Sequence, residues 1–530
     1  MSGARKRHFC GILIGFVGLQ ALLVWISAEF RFSRHEGDML HLSELVLRVV
    51  AGQVPHMDFM TPIGDLAFRP IAALLMLPDR IAALPPLGLG RAMLWSQVMA
   101  AVVLLPAVCW TGLSRMRFGP AVVFGLLTLG LVTGLVFGGV HTNLSLSMHY
   151  NRWAWALTFL VVVLVVVPAG RRRADLFDGL VIGLALSALV LIKATYAVAL
   201  ALPVTLGLLI QFRARVMWVA GLAALAVWGL YAWAFGPEFW RAYADDLLTV
   251  LRSGIRPFPG ETLQAVALSP AYTFATLAGL AAALLLRRES RGPGLALMLF
   301  LPAFVYISYQ NYGNDPLWLV PVAFCLIAQL PGPGEGPRSA MAAVALTALV
   351  LVAPQMGNVL YSPVRHALLP ASQYRPLLPD PAHADLRMLA ARGEAPFVQA
   401  TMVLPGQTPD LPEFQGRPLA ECKREGGLVP VIEAETALLA ELGITQGPQP
   451  FVADFLAPYW MYSALTPLPD GAPWYYDGLP GLETATHLMV PVCASKPHVR
   501  AHILSLIEAR GVPLTETGHN ELFTLYEIGR

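Results

Sequence analysis

Charged side chains are rare in most of this 530-residue sequence, and a few of them stand beside long apolar segments. Glu36 and Asp38 directly follow the first such segment, and Asp58 stands in the same connector. Lys193 interrupts a later apolar stretch in the run LIKATY. Carboxylates can accept a proton and a lysine can bind an anion. Carboxylates also cap helices, and a lysine also extends to lipid headgroups, so both kinds of role stay open here.

The composition identifies a protein with many membrane spans. Hydrophobic residues make up 56% of the chain and charged residues 13%, whereas a soluble domain carries about 25% charge. The apolar excess excludes a disordered chain. The net charge is only +2 and no long basic tract is present, which excludes nucleic acid as a partner. We therefore predict a polytopic α-helical protein whose surroundings are a lipid bilayer.

Charge divides the chain into two predicted domains. Residues 1–356 hold 25 Lys or Arg and 16 Asp or Glu, and residues 357–530 hold 11 and 18. The second part lacks an 18-residue apolar run and alternates short apolar stretches with Pro/Gly turns, so it is predicted to be a soluble α/β domain. Within it, Cys422 and Cys493 either form a disulfide or remain two separate thiols.

The apolar segments of the first part predict about eleven spans. They lie near residues 9–30, 90–113, 119–140, 152–168, 176–192, 195–211, 216–235, 270–286, 293–311, 316–330 and 339–356. The first follows a basic cluster and is predicted to be a retained signal anchor. Connectors assigned to the cytoplasm carry 14 Lys or Arg and the longer outer ones carry 9. This bias predicts a cytoplasmic N-terminus and an extracytoplasmic C-terminal domain in the inner (cytoplasmic) membrane.

The first outer connector, residues 31–89, has the most informative pattern. Apolar residues from Met39 to Val50 recur every three or four positions, which predicts an amphipathic helix on the membrane surface. Gly52 follows it and opens the run GQVPHMDFMTPIG, which ends at Gly64. Three carboxylates beside a lipid-facing helix suit a reaction between a membrane-embedded donor and a polar acceptor.

This connector resembles the GT-C superfamily of integral-membrane glycosyltransferases, which use polyprenyl-phosphate sugars. The resemblance covers residues 31–70 most densely and is mainly topological over 71–356. Where the family often has Asp-Glu after the first span, this chain has His35-Glu36. The resemblance implies a carboxylate base in the connector that deprotonates the acceptor hydroxyl, and Glu36 and Asp38 are both candidates, with Asp58 next. Asp58 is equally typical of an Asx turn.

A departing lipid phosphate needs a cation, and three residues are candidates for that role. Lys193 is the first, because a charge within a span indicates function. Arg69 and Arg152 are its rivals, although Arg152 and its aromatic neighbours are also typical of an interfacial belt. Polar residues at outer span ends and in the first connector are candidates for substrate binding. These are His56, Asn151, Asn314 and Asp315, and the last two also fit a turn between spans.

The predicted function is transfer of a sugar from a polyprenyl-phosphate donor to an envelope glycan, lipid or protein on the extracytoplasmic face. No cofactor is predicted, and the scattered histidines give no argument for a divalent metal. The alternatives are a transporter or flippase for a glycolipid of the same class, and a non-catalytic subunit of an envelope-assembly complex. A transporter would need ionisable groups along a path through the bilayer, and the sequence has few in mid-span.

Overall fold

A computed structural model describes residues 2–81, 85–169, 174–255, 261–311, 316–332, 338–392, 398–400, 412–420, 422–424 and 427–529. Its helices are α1 (Gly3–Ser27), α2 (Glu36–Val50), α3 (Arg69–Arg80), α4 (Leu89–Arg115), α5 (Phe118–Thr133), α6 (His149–Val166), α7 (Ala174–Ile210), α8 (Ala214–Phe235), α9 (Glu238–Arg252), α10 (Leu263–Leu268), α11 (Pro270–Glu289), α12 (Arg291–Gln310), α13 (Leu319–Ala328), α14 (Arg338–Ala367), α15 (Leu428–Glu441) and α16 (Pro497–Ala509). Its strands are β1 (Phe30–Phe32), β2 (Tyr374–Pro376), β3 (Leu386–Leu389), β4 (Val398–Ala400), β5 (Glu413–Phe414), β6 (Arg417–Pro418), β7 (Cys422–Arg424), β8 (Phe451–Val452), β9 (His487–Pro491), β10 (Leu514–His519) and β11 (Phe523–Ile528).

The membrane class that the composition predicts is confirmed. In the described ranges, eight helices are long and apolar enough to cross a bilayer: α1, α4, α6, α7, α8, α11, α12 and α14. Helices α5 and α13 are apolar but shorter. Helix α3 lies in the first connector, and its twelve residues extend only about 18 Å, which falls short of a bilayer core.

Helix α7 doubles back on itself at Lys193, whose backbone is extended in the middle of the helix (φ −157°, ψ 101°). Asp178, near the start of the first half, forms an ion pair with Arg213, just past the end of the second half. Each half rises roughly 25 Å, so these two residues can meet only if the halves run antiparallel. The two spans predicted at 176–192 and 195–211 are therefore two helices joined at Lys193.

The connectors gather at two ends of the helix bundle. At one end, the backbone N–H of Arg31 donates to Nε2 of His366 at 3.0 Å, which joins the segment after α1 to α14. At the other end, Arg115 donates from Nε to the carbonyl of Val167 at 3.0 Å, which joins α4 to the end of α6. The first group contains connectors predicted to lie outside and the second contains those rich in Lys and Arg.

Helix α2 forms where the sequence predicts it, but protein covers both of its faces. Apolar residues such as Met39 and Val46 are fully buried. On the other face, Glu44 and Arg48 form a buried ion pair at 3.0 Å, and Trp460 of the C-terminal region donates from Nε1 to Glu44 at 3.1 Å. Burial raises the pKa of Glu44. An amphipathic pattern does not distinguish lipid from protein as the cover of an apolar face, so the expected membrane-surface helix is an internal one.

The C-terminal region contains strands, as predicted. Its main sheet has the order β10-β11-β9-β8, with β8 parallel to β9 and the other pairs antiparallel. Residues Cys422 and Cys493 form a disulfide. Helix α14 continues past the predicted boundary at residue 356 to Ala367. Strand β1, directly after α1, pairs in parallel with β3, so the first connector and the C-terminal region share a small sheet.

Candidate functional site

Lys193 lies at the turn of α7 in a polar cluster built from the ends of three helices. Its Nζ donates to Oδ1 of Asn151 on α6 at 3.2 Å and to Oδ1 of Asn311 just past α12. The Asn311 amide is oriented by its own Nδ2, which donates to the carbonyl of Ile307 at 2.7 Å. The Nζ also lies 5.5 Å from the ring centroid of Tyr150, within range of a cation–π contact.

The cluster around Lys193 contains a cation and neutral partners. No ion pair joins Lys193 to a carboxylate in the described part of the chain. It is also the one lysine between Lys6 and Lys423. Amide oxygens accept hydrogen bonds from this half-buried lysine without neutralising it, so an anionic ligand could still pair with the ammonium group.

Asp38 lies on a narrow cleft that reaches the same cluster. The cleft is lined by α2, the segment before α3, and the start of α6; its residues are Asp38, His41, Leu42, Leu45, Ile63, Ala67, Phe68, Leu146, Met148, His149 and Tyr150. Tyr150 lies between the cleft and Lys193. The interior volume is about 20 Å³, room for roughly one water molecule. A larger substrate can reach Asp38 only when the lining side chains move.

Glu36 is the first residue of α2 and is engaged by the C-terminal region. Arg392 donates from Nε to one Glu36 carboxylate oxygen and from Nη2 to the other at 3.2 Å. The Glu36 side chain is 13% exposed and the Arg392 side chain 42% exposed. Glu36 and Asp38, which the sequence leaves as equal candidates, therefore differ in surroundings: one is paired with an arginine and the other lines the cleft.

Asp58 and His56 are both used by the loop that contains them. The Asp58 carboxylate accepts a hydrogen bond from the backbone N–H of Val54, four residues earlier, at 2.6 Å, so it holds the loop closed by a different contact from that of an Asx turn. The buried His56 pairs through Nδ1 with Asp246 of α9 at 2.8 Å. Burial raises the pKa of Asp246. Neither Asp58 nor His56 lines the cleft beside Asp38.

The two arginines proposed as rivals of Lys193 have internal partners. Arg69 forms an ion pair with Asp65 through Nε, and its guanidinium lies 4.7 Å from the ring centroid of Phe235. Arg152 is buried and donates to the carbonyls of Gly134, at 2.7 Å, and Val136, which follow α5. Both side chains therefore stabilise the ends of helices. Of the three cations, Lys193 is the one that lies in a cluster of neutral side chains.

Two predicted binding residues, Asn314 and Asp315, lie outside the described residues. In the ranges that the structure does describe, no group of three or more His, Cys, Asp or Glu side chains is arranged to hold a metal ion.

Sequence reasoning missed four residues near the site: Tyr150, Asp246, Asn311 and Arg392. Asn311 and Tyr150 stand at predicted outer span ends next to residues that were singled out, so their position was the available signal. Asp246 is one acid among several charged residues of an amphipathic helix, and Arg392 belongs to a different predicted domain. The sequence gives no signal for either of these two.

Comparison with known proteins identifies no relative: no family model matches the chain, and no curated protein sequence matches it.

Proposed function

We propose that the protein is a membrane glycosyltransferase that moves a sugar from a polyprenyl-phosphate donor to an envelope glycan, lipid or protein. One observation carries the proposal: Asp38 lines a cleft whose wall includes Tyr150, and the ring of Tyr150 lies 5.5 Å from Nζ of Lys193, a half-buried cation with neutral hydrogen-bond partners. This puts a proton acceptor and a phosphate-binding cation at the same end of the bundle, as the resemblance of residues 31–70 to GT-C enzymes implies.

In this reaction, Asp38 takes the proton of the acceptor hydroxyl as its oxygen attacks the anomeric carbon. The bond between that carbon and the phosphate oxygen breaks, and polyprenyl phosphate leaves with the bonding electrons. Lys193, oriented by Asn151 and Asn311, stabilises the charge that develops on this phosphate. Glu36 acts indirectly, because its pairing with Arg392 holds the start of α2 in place.

An apolar groove provides a place for the lipid part of the donor. It lies between the second half of α7 and α12 and has a volume of about 430 Å³. Its lining residues include Val198, Leu202, Pro203, Met298 and Pro302. The same two elements contain or adjoin Lys193 and Asn311. Val198, five residues from Lys193, is 71% exposed on the surface that faces lipid under this proposal. An isoprenoid chain in the groove would leave its phosphate near Lys193.

The proposed topology has eleven crossings, with α5 and α13 as short spans and the halves of α7 as two. The N-terminus is then cytoplasmic, and the site and the C-terminal region are extracytoplasmic, in the inner membrane. The Lys/Arg bias and the Cys422–Cys493 disulfide, a bond typical of oxidising compartments, support this orientation.

Thiol alkylation of whole cells tests the topology. Cys10, Cys109 and Cys325 are first replaced by Ala, which leaves the disulfide pair as the sole thiols. We expect Cys422 and Cys493 to react with a maleimide only after reduction. Full labelling without reductant would place the C-terminal region in the cytoplasm and contradict the proposed orientation.

Mass spectrometry of envelope glycans and lipid-linked sugars in a deletion strain tests the function. Deletion should remove a sugar from a glycan and make the polyprenyl-linked donor accumulate. Wild type should reverse both effects, whereas Asp38→Asn should lower transfer by about 10²–10⁴-fold, the usual contribution of a general base. Glu36→Gln is the matched control two positions away and should lower transfer by less than about tenfold, since it removes an exposed ion pair.

Two results would contradict the transferase. One is a deletion strain with unchanged glycans and no accumulated donor. The other is the behaviour of a transporter, which combines two observations. The Asp38→Asn variant would transfer sugar as fast as wild type, and in the deletion strain the lipid-linked sugar would fail to cross the membrane.

A further inference from the structure

The turn of α7 leaves backbone carbonyls that the helix itself does not satisfy. A helix end has about four such carbonyls, and inside a membrane protein each needs another donor. Two of them are satisfied by other elements. The hydroxyl of Tyr243 on α9 donates to the carbonyl of Val190 at 2.7 Å, and the backbone N–H of Gly64 donates to the carbonyl of Ile192 at 3.3 Å. Lys193 follows directly after these carbonyls.

Gly64 contacts this turn so closely that no larger residue fits. A Cβ atom at position 64 would lie 2.2 Å from the carbonyl oxygen of Leu191 and 2.9 Å from its Cα. These are backbone atoms, so the clash cannot be relieved by a side-chain rotation. Any residue larger than glycine must therefore move either its own loop or the backbone next to Lys193.

The loop before Gly64 and helix α9 are fixed to each other by a buried pair. One carboxylate oxygen of Asp246 lies 2.8 Å from Nδ1 of His56 and accepts the backbone N–H of Thr61 at 3.0 Å. The His56 ring also packs on Tyr243, with centroids 4.3 Å apart. His56 has a left-handed backbone (φ 70°), which the loop adopts while the ring is buried against α9.

We propose that Gly64, Tyr243, His56 and Asp246 form a clamp that positions Lys193. The loop before Gly64 and helix α9 hold the backbone of the α7 turn, so that the side chain of Lys193 points into the cluster with Asn151 and Asn311. None of the four residues touches Nζ of Lys193, and they act through the backbone of the turn. The role of the positioned lysine in binding a lipid phosphate rests on the function proposed above, but the clamp itself does not.

Amine acetylation, measured by mass spectrometry on the full-length protein in lipid nanodiscs, tests the clamp without any substrate. Lys193 is half-buried and its Nζ is held by two amide oxygens, so its amine should react faster when the turn opens, whereas Lys423 and Lys496 serve as internal references. We expect Tyr243→Phe to raise the relative labelling rate of Lys193 by about fivefold, the effect of one lost hydrogen bond on an opening equilibrium. Gly64→Ala should raise it more.

Matched controls use residues of the same type away from the turn. Gly229→Ala introduces a methyl group in α8 that meets no atom within 4 Å, and Tyr361→Phe changes an exposed tyrosine of α14. Both should leave the labelling rate of Lys193 at the wild-type value. The clamp is refuted if Gly64→Ala and Tyr243→Phe also leave it there, or if the controls raise it equally.

A second measurement, binding of polyprenyl phosphate without sugar or acceptor, distinguishes the clamp from the proposed function. We expect Tyr243→Phe to weaken binding about fivefold in the protein with Lys193 and to have no further effect together with Lys193→Gln. Equal effects in both backgrounds would show that Tyr243 does not act through the lysine and would overturn the positioning role. A wild-type protein that binds no polyprenyl phosphate would refute the proposed function, and the labelling result would still decide the clamp.

Discussion

Each end of the helix bundle holds cations away from full solvent exposure, but the partners of these cations differ. At the end opposite the candidate site, Arg115 and Arg213 both pair with the fully buried Asp178, and Asp175 lies 3.9 Å from Arg213. Trp110 adds a hydrogen bond to Asp178 at 2.8 Å. Two arginines thus face two aspartates. At the site end, Lys193 has the amides of Asn151 and Asn311 as its hydrogen-bond acceptors.

This difference indicates which cluster is structural and which can bind a ligand. A buried ion pair with its hydrogen bonds satisfied has no unused charge, and it joins the helices that contribute to it. A half-buried cation with neutral partners is less stable by itself, because the partial desolvation of its charge is not offset by an opposite charge. An anionic ligand would supply the missing opposite charge, and under the proposed function that ligand is the lipid phosphate.

The largest expected effect is on stability, at the end of the bundle where Arg115 and Arg213 pair with Asp178. Asp178→Asn leaves Arg115 and Arg213 buried without that carboxylate, and we expect it to lower the free energy of unfolding by about 3–5 kcal/mol. The measurement is the thermal midpoint of the purified protein in detergent. An unchanged midpoint would show that the two clusters do not differ in the way described.

Lys193→Gln should lower activity and leave stability nearly unchanged, unlike Asp178→Asn, whose main effect is on stability. Under the proposed function this variant lacks the cation that stabilises the departing phosphate, so the rate of sugar transfer should fall by about 10²–10³-fold. The thermal midpoint should stay near the wild-type value or rise, because no ion pair in the described residues is broken and a partly desolvated charge is removed. A variant that loses stability as Asp178→Asn does would make Lys193 a structural residue.

Asn151→Leu should have a smaller effect on the same step. It removes one of the oxygens that accept from Lys193, at 3.2 Å, and leaves the charge in place. We expect the KM for the polyprenyl-phosphate donor to rise by about tenfold, within the range for a hydrogen bond to a charged group. The KM for the acceptor should not change. If it is the acceptor KM that rises, Asn151 binds the acceptor and has no part in orienting Lys193.

The sequence predicts the bundle well because apolar length and Lys/Arg bias report directly on membrane helices. It even separates the halves of α7, since Lys193 interrupts the apolar run. It predicts Lys193 and Asp38 as candidates but not the clamp. Pairing of His56 with Asp246 joins residues 190 positions apart in two connectors. The amphipathic pattern of α2 also gave no indication that Trp460 and the C-terminal region cover it.

The smallest effect is expected from Trp110→Phe. Like Asn151→Leu it removes one hydrogen bond to a charged group, but at the end of the bundle where Arg115 and Arg213 pair with Asp178. It removes the hydrogen bond from Nε1 to Asp178 at 2.8 Å and keeps an aromatic ring in place. We expect the free energy of unfolding to fall by about 1 kcal/mol, the usual contribution of one hydrogen bond. The kcat and both KM values should equal those of wild type, because the proposed function places both substrates at the other end of the bundle. A raised donor KM in Trp110→Phe would mean that the two ends are coupled through α7, since its first half runs from near Asp178 to the turn at Lys193. The clusters at the two ends of the bundle would then form a single network.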